Sequence, residues 1–293
     1  EFCRRYLPST MEAEQGRRGG RQIQPLALSS EPPTSVDWRD EGAVTPVKDQ
    51  ASCGSCWAES AVSNIESAWF LAHKDLGKPV PLSVEQVIEC DAHDNACYGG
   101  FPKGAYQYAI EQHGLTSEAA YPYRVGGHTV CLANQTFNAT CGNGMCDDPP
   151  LTSSCDLTCS DKAHERVATI ASWVALPKSE DLIASFLAAH GPVSVGIDAS
   201  GGALGVLFPW LQFYQRGVAN PHRCTSEINH AVLLVGYGKE RGQGFWTLKN
   251  SWGVKWGESG YFKLIRGLEK CGVASMATSA VVSFKPLTEA LLV

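Results

Sequence analysis

The feature that most restricts the fold is a change of hydrophobic period partway along the chain. From Cys56 to Ala72 the apolar residues fall at 58, 61, 62, 65, 69 and 72, which is a helical stripe. "SVEQVIEC" (83–90) predicts a second helix, with Ser83 as N-cap and Gln86 closing a capping box. "KGAYQYAIEQHG" (103–114) predicts a third helix ended by Gly114, and "EDLIASFLAAHG" a fourth. The runs that follow, "PVSVGIDA", "HAVLLVGYG", "GFWTLKNSW" and "GYFKLIRG", are β-type segments bounded by glycine turns. Helices first and strands later imply an α+β chain of two lobes. A length of 293 residues lets each lobe bury a core.

Several function classes are disfavoured at this level. The net charge of -6 offers no basic footprint for nucleic acid. No apolar run approaches the roughly 20 residues of a membrane span. Twelve cysteines suggest an oxidising compartment. Two sequons, at Asn134 and Asn138, fit a glycosylated surface loop in a secretory-pathway protein. They lie in a stretch, 131–165, that is rich in Cys, Asn, Asp, Pro and Thr and reads as a stapled loop. The chain opens abruptly on "EFCRRYLP", without a signal-peptide pattern, and is expected to be part of a longer precursor.

The chemistry centres on "KDQASCGSCWAESA", 48–61. A redox dithiol has the spacing of "CGSC", but such motifs follow a strand in a βαβ unit, and "DQAS" is no strand. A zinc site would want a second matching pair, and "CDLTC" is a poor match. The remaining reading is a nucleophile. A thiolate needs positive potential, which a helix N-terminus supplies in part and an imidazolium completes.

"CGSCW" has the form C-G-[SA]-C-[WY] seen around the nucleophile of papain-like peptidases. The chain resembles papain and the lysosomal cathepsins, nearer the cathepsin L type, from about Ser35 to Ala280. The resemblance is carried in the family's order by "SVDWR", "VTPVKDQ", "CGSCW", "CYGGFP", "YPY", "GPVSVGIDA", "NHAVLLVGYG", "WTLKNSWGVKWGESGY" and "CGVAS". It implies a two-lobed papain-like fold, with a helical lobe (about 44–130), a cysteine-rich insertion (131–165) and a β-barrel-like lobe (about 166–285) around a cleft.

The resemblance also implies roles. Cys56 would be the nucleophile and His230 the base and acid. Asn250 would hold the imidazole, and Gln50 would join the Cys56 N–H in the oxyanion hole. Gly99 and Gly100 would bind substrate backbone. Phe101, Pro102, Gly196, Ile228 and Met276 would form the pocket for the second residue before the cut. Trp252 would cover the His–Asn contact, and Trp256 would line the leaving-group side. Glu59 departs from the family's usual Phe, and Asn229 stands where Asp is common. No metal or organic cofactor is implied. The expected partners are protein or peptide substrates, the chain's own propeptide and cystatin-type inhibitors.

By the same resemblance Cys53 pairs with Cys97, Cys224 with Cys271, and Cys56 stays free. Cys90, Cys131, Cys141, Cys146, Cys155 and Cys159 remain for three bonds, with Cys3 left over. Two patterns are open. A cathepsin L type joins Cys90 to Cys131, and a cathepsin B-like one joins Cys131 to Cys141 and Cys90 to Cys155. "CLANQTFNATC" has no His, Lys or Arg between its cysteines, so it lacks the cation that carboxylate capture needs. Residues 1–33 are expected to be the tail of a propeptide that blocks the cleft. Lysosome, vacuole or secretion are the expected destinations. An acyl-transferring ligase or a non-catalytic homologue are the rival readings.

Overall fold

The computed structural model describes residues 20–22, 32–124, 159, 164–200 and 209–282. Cys3, Cys131, Cys141, Cys146, Cys155 and both sequons lie outside them, as does most of the 1–33 segment.

Helix α1 (Cys56–Ala72) is the axis of the molecule. Its apolar stripe packs Trp57, Ala61 and Ile65 into a core with Leu82, Ile88, Tyr106 and Leu115. Full burial of a side chain such as Ile65 contributes about 1.5–3 kcal/mol. An isolated amphipathic helix would leave its other face in water. Here that face is buried too, because the second lobe lies against it. Ser60 Oγ donates to Val232 O (2.8 Å) and contacts Ser194 Oγ (2.7 Å). Asn64 Nδ2 donates to Pro192 O (2.7 Å), while its Oδ1 accepts from Ala280 N (2.7 Å) and the Tyr106 hydroxyl (2.8 Å).

Helix α2 (Val84–Cys90) starts where Ser83 Oγ accepts from Gln86 N at 3.0 Å. The capping box expected from the sequence is not closed. Gln86 Oε1 instead accepts from Thr116 N at 2.8 Å, so a tertiary partner takes the group that a local cap would have used. Helix α3 (Pro102–Glu111) begins with Pro at N1, where the missing N–H costs nothing, and ends before Gly114. Helix α4 (Glu180–His190) packs on the β lobe, capped by Ser179 Oγ accepting from Leu182 N.

The strands form one sheet in the order β1 (Gly20–Gln22), β3 (Ser172–Ala175), β9 (Ala277–Val281), β4 (Val193–Ile197), β6 (His230–Glu240), β7 (Gln243–Lys249), β8 (Tyr261–Ile265) and β5 (Val218–Ala219), with β2 (Val36–Asp37) paired to β6. Val195, Leu234, Trp246, Leu248, Phe262 and Leu264 fill the β core. The division between lobes does not follow the chain. Ala168, Ile170, Trp173 and Ala280 come from late segments yet pack in the helical core. Strand β1 lies parallel to β3, Gly20 opposite Trp173.

Disulfides join Cys53 to Cys97 and Cys224 to Cys271. Cys90 pairs with Cys159, not with Cys131 or Cys155, which corrects the Cys90 pairing in both expected patterns; the expected Cys131–Cys141 bond lies outside the described residues. The reason is spatial: Cys159 is brought to the end of α2, a placement that spacing along the chain does not encode.

Candidate active site

Cys56 opens α1 and is 3% exposed; it is the free cysteine among the described residues. The backbone N–H groups of Ala231, Trp57 and Cys56 itself lie near its sulfur and favour the thiolate. The Ala231 contact links the lobes, since Ala231 is the second residue of β6. The first is His230, fully buried. β6 and β7 run antiparallel, so the start of β6 lies beside the end of β7, where Asn250 follows Lys249. His230 Nε2 donates to Asn250 Oδ1 at 2.8 Å. This fixes the tautomer: Nδ1 is the acceptor nitrogen, and it is buried with no hydrogen-bond partner. The Trp252 ring lies 5.0 Å from the imidazole and 5.1 Å from the Trp256 ring.

Burial pushes the Cys56 thiol up to about 11, against the pull of its backbone N–H contacts, and the charge of Glu59 adds to the rise. Burial also pushes the His230 imidazole down to about 4, with the Asn250 bond acting the other way. Both shifts have one first cause, the cost of a lone charge in a dry site. Moving the proton from sulfur to imidazole creates both charges together, and their attraction offsets that cost.

Gln50 is buried and held from two sides. Its Nε2 donates to Cys53 O (2.8 Å), and its Oε1 accepts from Ser251 Oγ (2.5 Å). Ser251 N also donates to Asn250 Oδ1 at 2.9 Å. Ser251 is thus a residue the sequence reading passed over, although it sits in the quoted "KNSW". Beside Cys56, Ala231 and Met276 form a small apolar cluster with Phe101 and Ile228 packed on it. Gly196 allows this approach: a Cβ there would lie 2.5 Å from Ile228 and 2.7 Å from Met276. Pro102 starts α3 beside Phe101, and Gly99 and Gly100 are buried just before it.

The two sequence departures fare differently: Asn229 acquires partners and Glu59 Oε2 does not. Asn229 Nδ2 donates to Asp198 Oδ1 (3.0 Å), and its Oδ1 accepts from Ala199 N (2.8 Å). A buried carboxylate therefore lies next to the strand of His230 although residue 229 is neutral; Asp198 is the acid of "GPVSVGIDA", to which the sequence alone assigned no role. Glu59 is 3% exposed and its Oε2 has no hydrogen-bond partner. Burial raises its carboxyl to about 7, the charges of Lys48 and Lys249 opposing and those of Glu118 and Glu66 reinforcing the shift. Among the described residues no group of acidic, His or Cys side chains is arranged to hold a metal, and no helix is long and apolar enough to cross a membrane.

The sequence model described as "Papain family cysteine protease" matches residues 32–281. Cathepsin F of Mus musculus is 39% identical over 288 residues, covering 97% of this chain and 52% of that protein. Cathepsin K of Gallus gallus is 39% identical over 252 residues, covering 85% and 64%. The chain thus spans about half the length of the mouse relative. Among solved structures, the digestive procathepsin L2 proteinase of the Tenebrio molitor larval midgut matches with a TM-score of 0.70 and 33% identity, over 89% of this chain and 74% of that one. Bromelain protease from Ananas comosus, in complex with the E64 inhibitor, matches with a TM-score of 0.66 and 31% identity, over 86% and 100%.

Proposed function

The chain belongs to the papain family of cysteine proteases, and from that membership we propose that it is an endopeptidase cutting peptide bonds through a thioester on Cys56. The observation that carries the reading is the convergence of a buried free thiol at the α1 N-terminus with the His230–Asn250 pair at the start of β6.

In this reading Cys56 Sγ gives its proton to His230 Nδ1 and attacks the scissile carbonyl carbon. The resulting oxyanion accepts hydrogen bonds from the Cys56 N–H and a Gln50 side-chain N–H. Collapse breaks the C–N bond, and the leaving amine takes its proton from the imidazolium. Water, deprotonated by His230, then attacks the thioester and regenerates the thiol. Asn250 keeps the ring oriented throughout, and the Trp252 ring shields that bond from water.

The substrate's second residue before the cut would sit on Met276, Ile228 and Phe101, an apolar floor suited to Leu, Val or Phe. Residues 1–33 act as the end of a propeptide; the match of procathepsin L2 supports this reading. The cysteine usage and the sequons favour an acidic secretory-pathway compartment or secretion. Cystatin-type proteins are the inhibitor class that such a cleft admits, and the chain acts as a monomer.

The test is titration with an epoxide thiol reagent followed by mass mapping. One equivalent should end all peptide hydrolysis, and the adduct should map to Cys56. Full activity after stoichiometric labelling there would refute the proposal. Product analysis with an added amine separates hydrolysis from acyl transfer.

A further inference from the structure

The segment 91–101 connects α2 to the glycine strip that the functional reading uses for substrate backbone. Two disulfides bound it, Cys90–Cys159 and Cys53–Cys97. Inside it the Asp91 and Asp94 carboxyls are neighbours and each feels the other electrostatically. Each has a buried Oδ2 that meets no donor. The remaining oxygens are engaged: Asp91 Oδ1 accepts from His93 N (2.9 Å), and Asp94 Oδ1 accepts from Phe101 N (2.8 Å).

The Asp94 carboxyl also lies flat on the backbone that follows. A Cβ on Gly100 would come within 2.6 Å of it, and a Cβ on Gly104 within 1.7 Å of its Oδ2. Both glycines therefore make room for one side chain. Asn95 N donates to Gly99 O at 2.9 Å, so the segment doubles back on itself around that carboxyl.

Two neighbouring carboxylates, each with a buried oxygen that no donor meets, repel unless a proton is held between them. We propose that Asp91 and Asp94 hold one proton between them, and that this proton braces the Gly99–Phe101 backbone against which a peptide substrate lies. The proton sits on Asp94, whose Oδ2–H donates to Asp91 while its Oδ1 holds Phe101 N–H. Asp94 is then a positioning residue, acting on substrate through the strip it supports. The proposal rests on the peptidase reading of that strip.

The charges around the pair agree with this placement. Burial first, then the charge of Asp91, raises the Asp94 carboxyl to about 8, with the Phe101 N–H and Lys103 pulling the other way. Burial also raises Asp91, which the bonds from His93 N and Asp94 and the His93 ring oppose. The N-terminus of α3 favours a charged Asp94 as well. His93 Nε2 is itself 2.9 Å from Glu111, so its ring points away from the pair toward that carboxylate. Below neutrality the proton stays. Above about pH 8 it leaves, two carboxylates face each other, and the strip loosens.

Binding is measured without chemistry in the Cys56→Ser protein, using a fluorescent peptide with Leu at the second position before the scissile bond. The dissociation constant should hold steady from pH 5.5 to 7 and rise about tenfold by pH 9, the worth of one lost hydrogen bond. Asp94→Asn should bind within about twofold of the parent at pH 5.5 and show no alkaline rise. Its amide donates to Asp91 from Nδ2 and accepts Phe101 N–H at Oδ1 at every pH. Asp94→Ala should bind about tenfold more weakly throughout. Difference infrared spectra at pH 6 should show a protonated carboxyl band lost in Asp94→Asn, a readout that does not depend on binding. An alkaline rise in Asp94→Asn equal to the parent's, parent-like binding by Asp94→Ala, or no lost band would each overturn the proposal. Flat parental binding to pH 9 overturns the brace alone. Failure of every folded variant to bind peptide overturns the peptidase reading, and the brace with it.

Discussion

Glu59 stands one helical turn beyond Cys56, buried, with Oε2 unpartnered. Its carboxyl is raised from 4.5 to about 7 by burial first, with Lys48 and Lys249 against the shift and Glu118 and Glu66 for it. The folded protein therefore holds this proton more tightly than the unfolded chain does. The benefit is complete below about pH 4.5 and is lost as pH rises to about 7. At 1.36 kcal/mol per unit this is on the order of 3 kcal/mol. No discount for solvent applies to a group so thoroughly buried. Glu59→Gln removes the titration and keeps the shape. Thermal unfolding followed in the Cys56→Ser background, which prevents self-digestion, reads the difference. At roughly 2–4 °C per kcal/mol for a domain of this size, Glu59→Gln should gain about 6–12 °C on its parent between pH 4.5 and 7.5. Asp94 also titrates above its ordinary range, but it is common to both proteins and cancels. Lys249, lowered to about 8, changes charge outside this window. Melting temperatures of the two proteins that run parallel across the range would refute the buried-acid argument.

Other changes test other parts of the molecule. Asn250→Ala should lower kcat about tenfold to a hundredfold, because the imidazole loses its 2.8 Å partner; unchanged kcat would remove Asn250 from the mechanism. The kcat/KM profile should be a bell with its acidic limb below neutrality, as a thiolate–imidazolium pair requires; a rate rising only above pH 8 would contradict the pair. Met276→Glu should raise cleavage of peptides with Arg as the second residue before the cut, since a guanidinium without a carboxylate partner is costly to bury. A substrate library in which the unmutated enzyme prefers Arg to Leu there would show the pocket to be misassigned. Asn64→Ala strands groups on three segments and should cost about 2–4 kcal/mol in a denaturant titration; a loss under about 0.5 kcal/mol would show that Asn64 does not clamp the lobes.

Periodicity and order along the chain were enough to read the helices α1 to α4, the main strands and the family's motifs in their order, because those signals are local. The stripe from Cys56 follows from side-chain spacing on one helix, and "CGSCW", "NHAVLLVGYG" and "KNSW" carry their residue types in contiguous text. What the tertiary structure decided are contacts between segments far apart in sequence. Gln86 abandons its local cap for Thr116, Cys90 finds Cys159, and Asp198 reaches Asn229 beside His230. The polar face of α1 is buried rather than wet because a second lobe closes on it, and Asp94 meets Asp91 in a bend that two disulfides bound. A buried polar group must be satisfied by whatever the fold brings within hydrogen-bond reach, and that partner is set by three-dimensional neighbourhood rather than by distance along the chain.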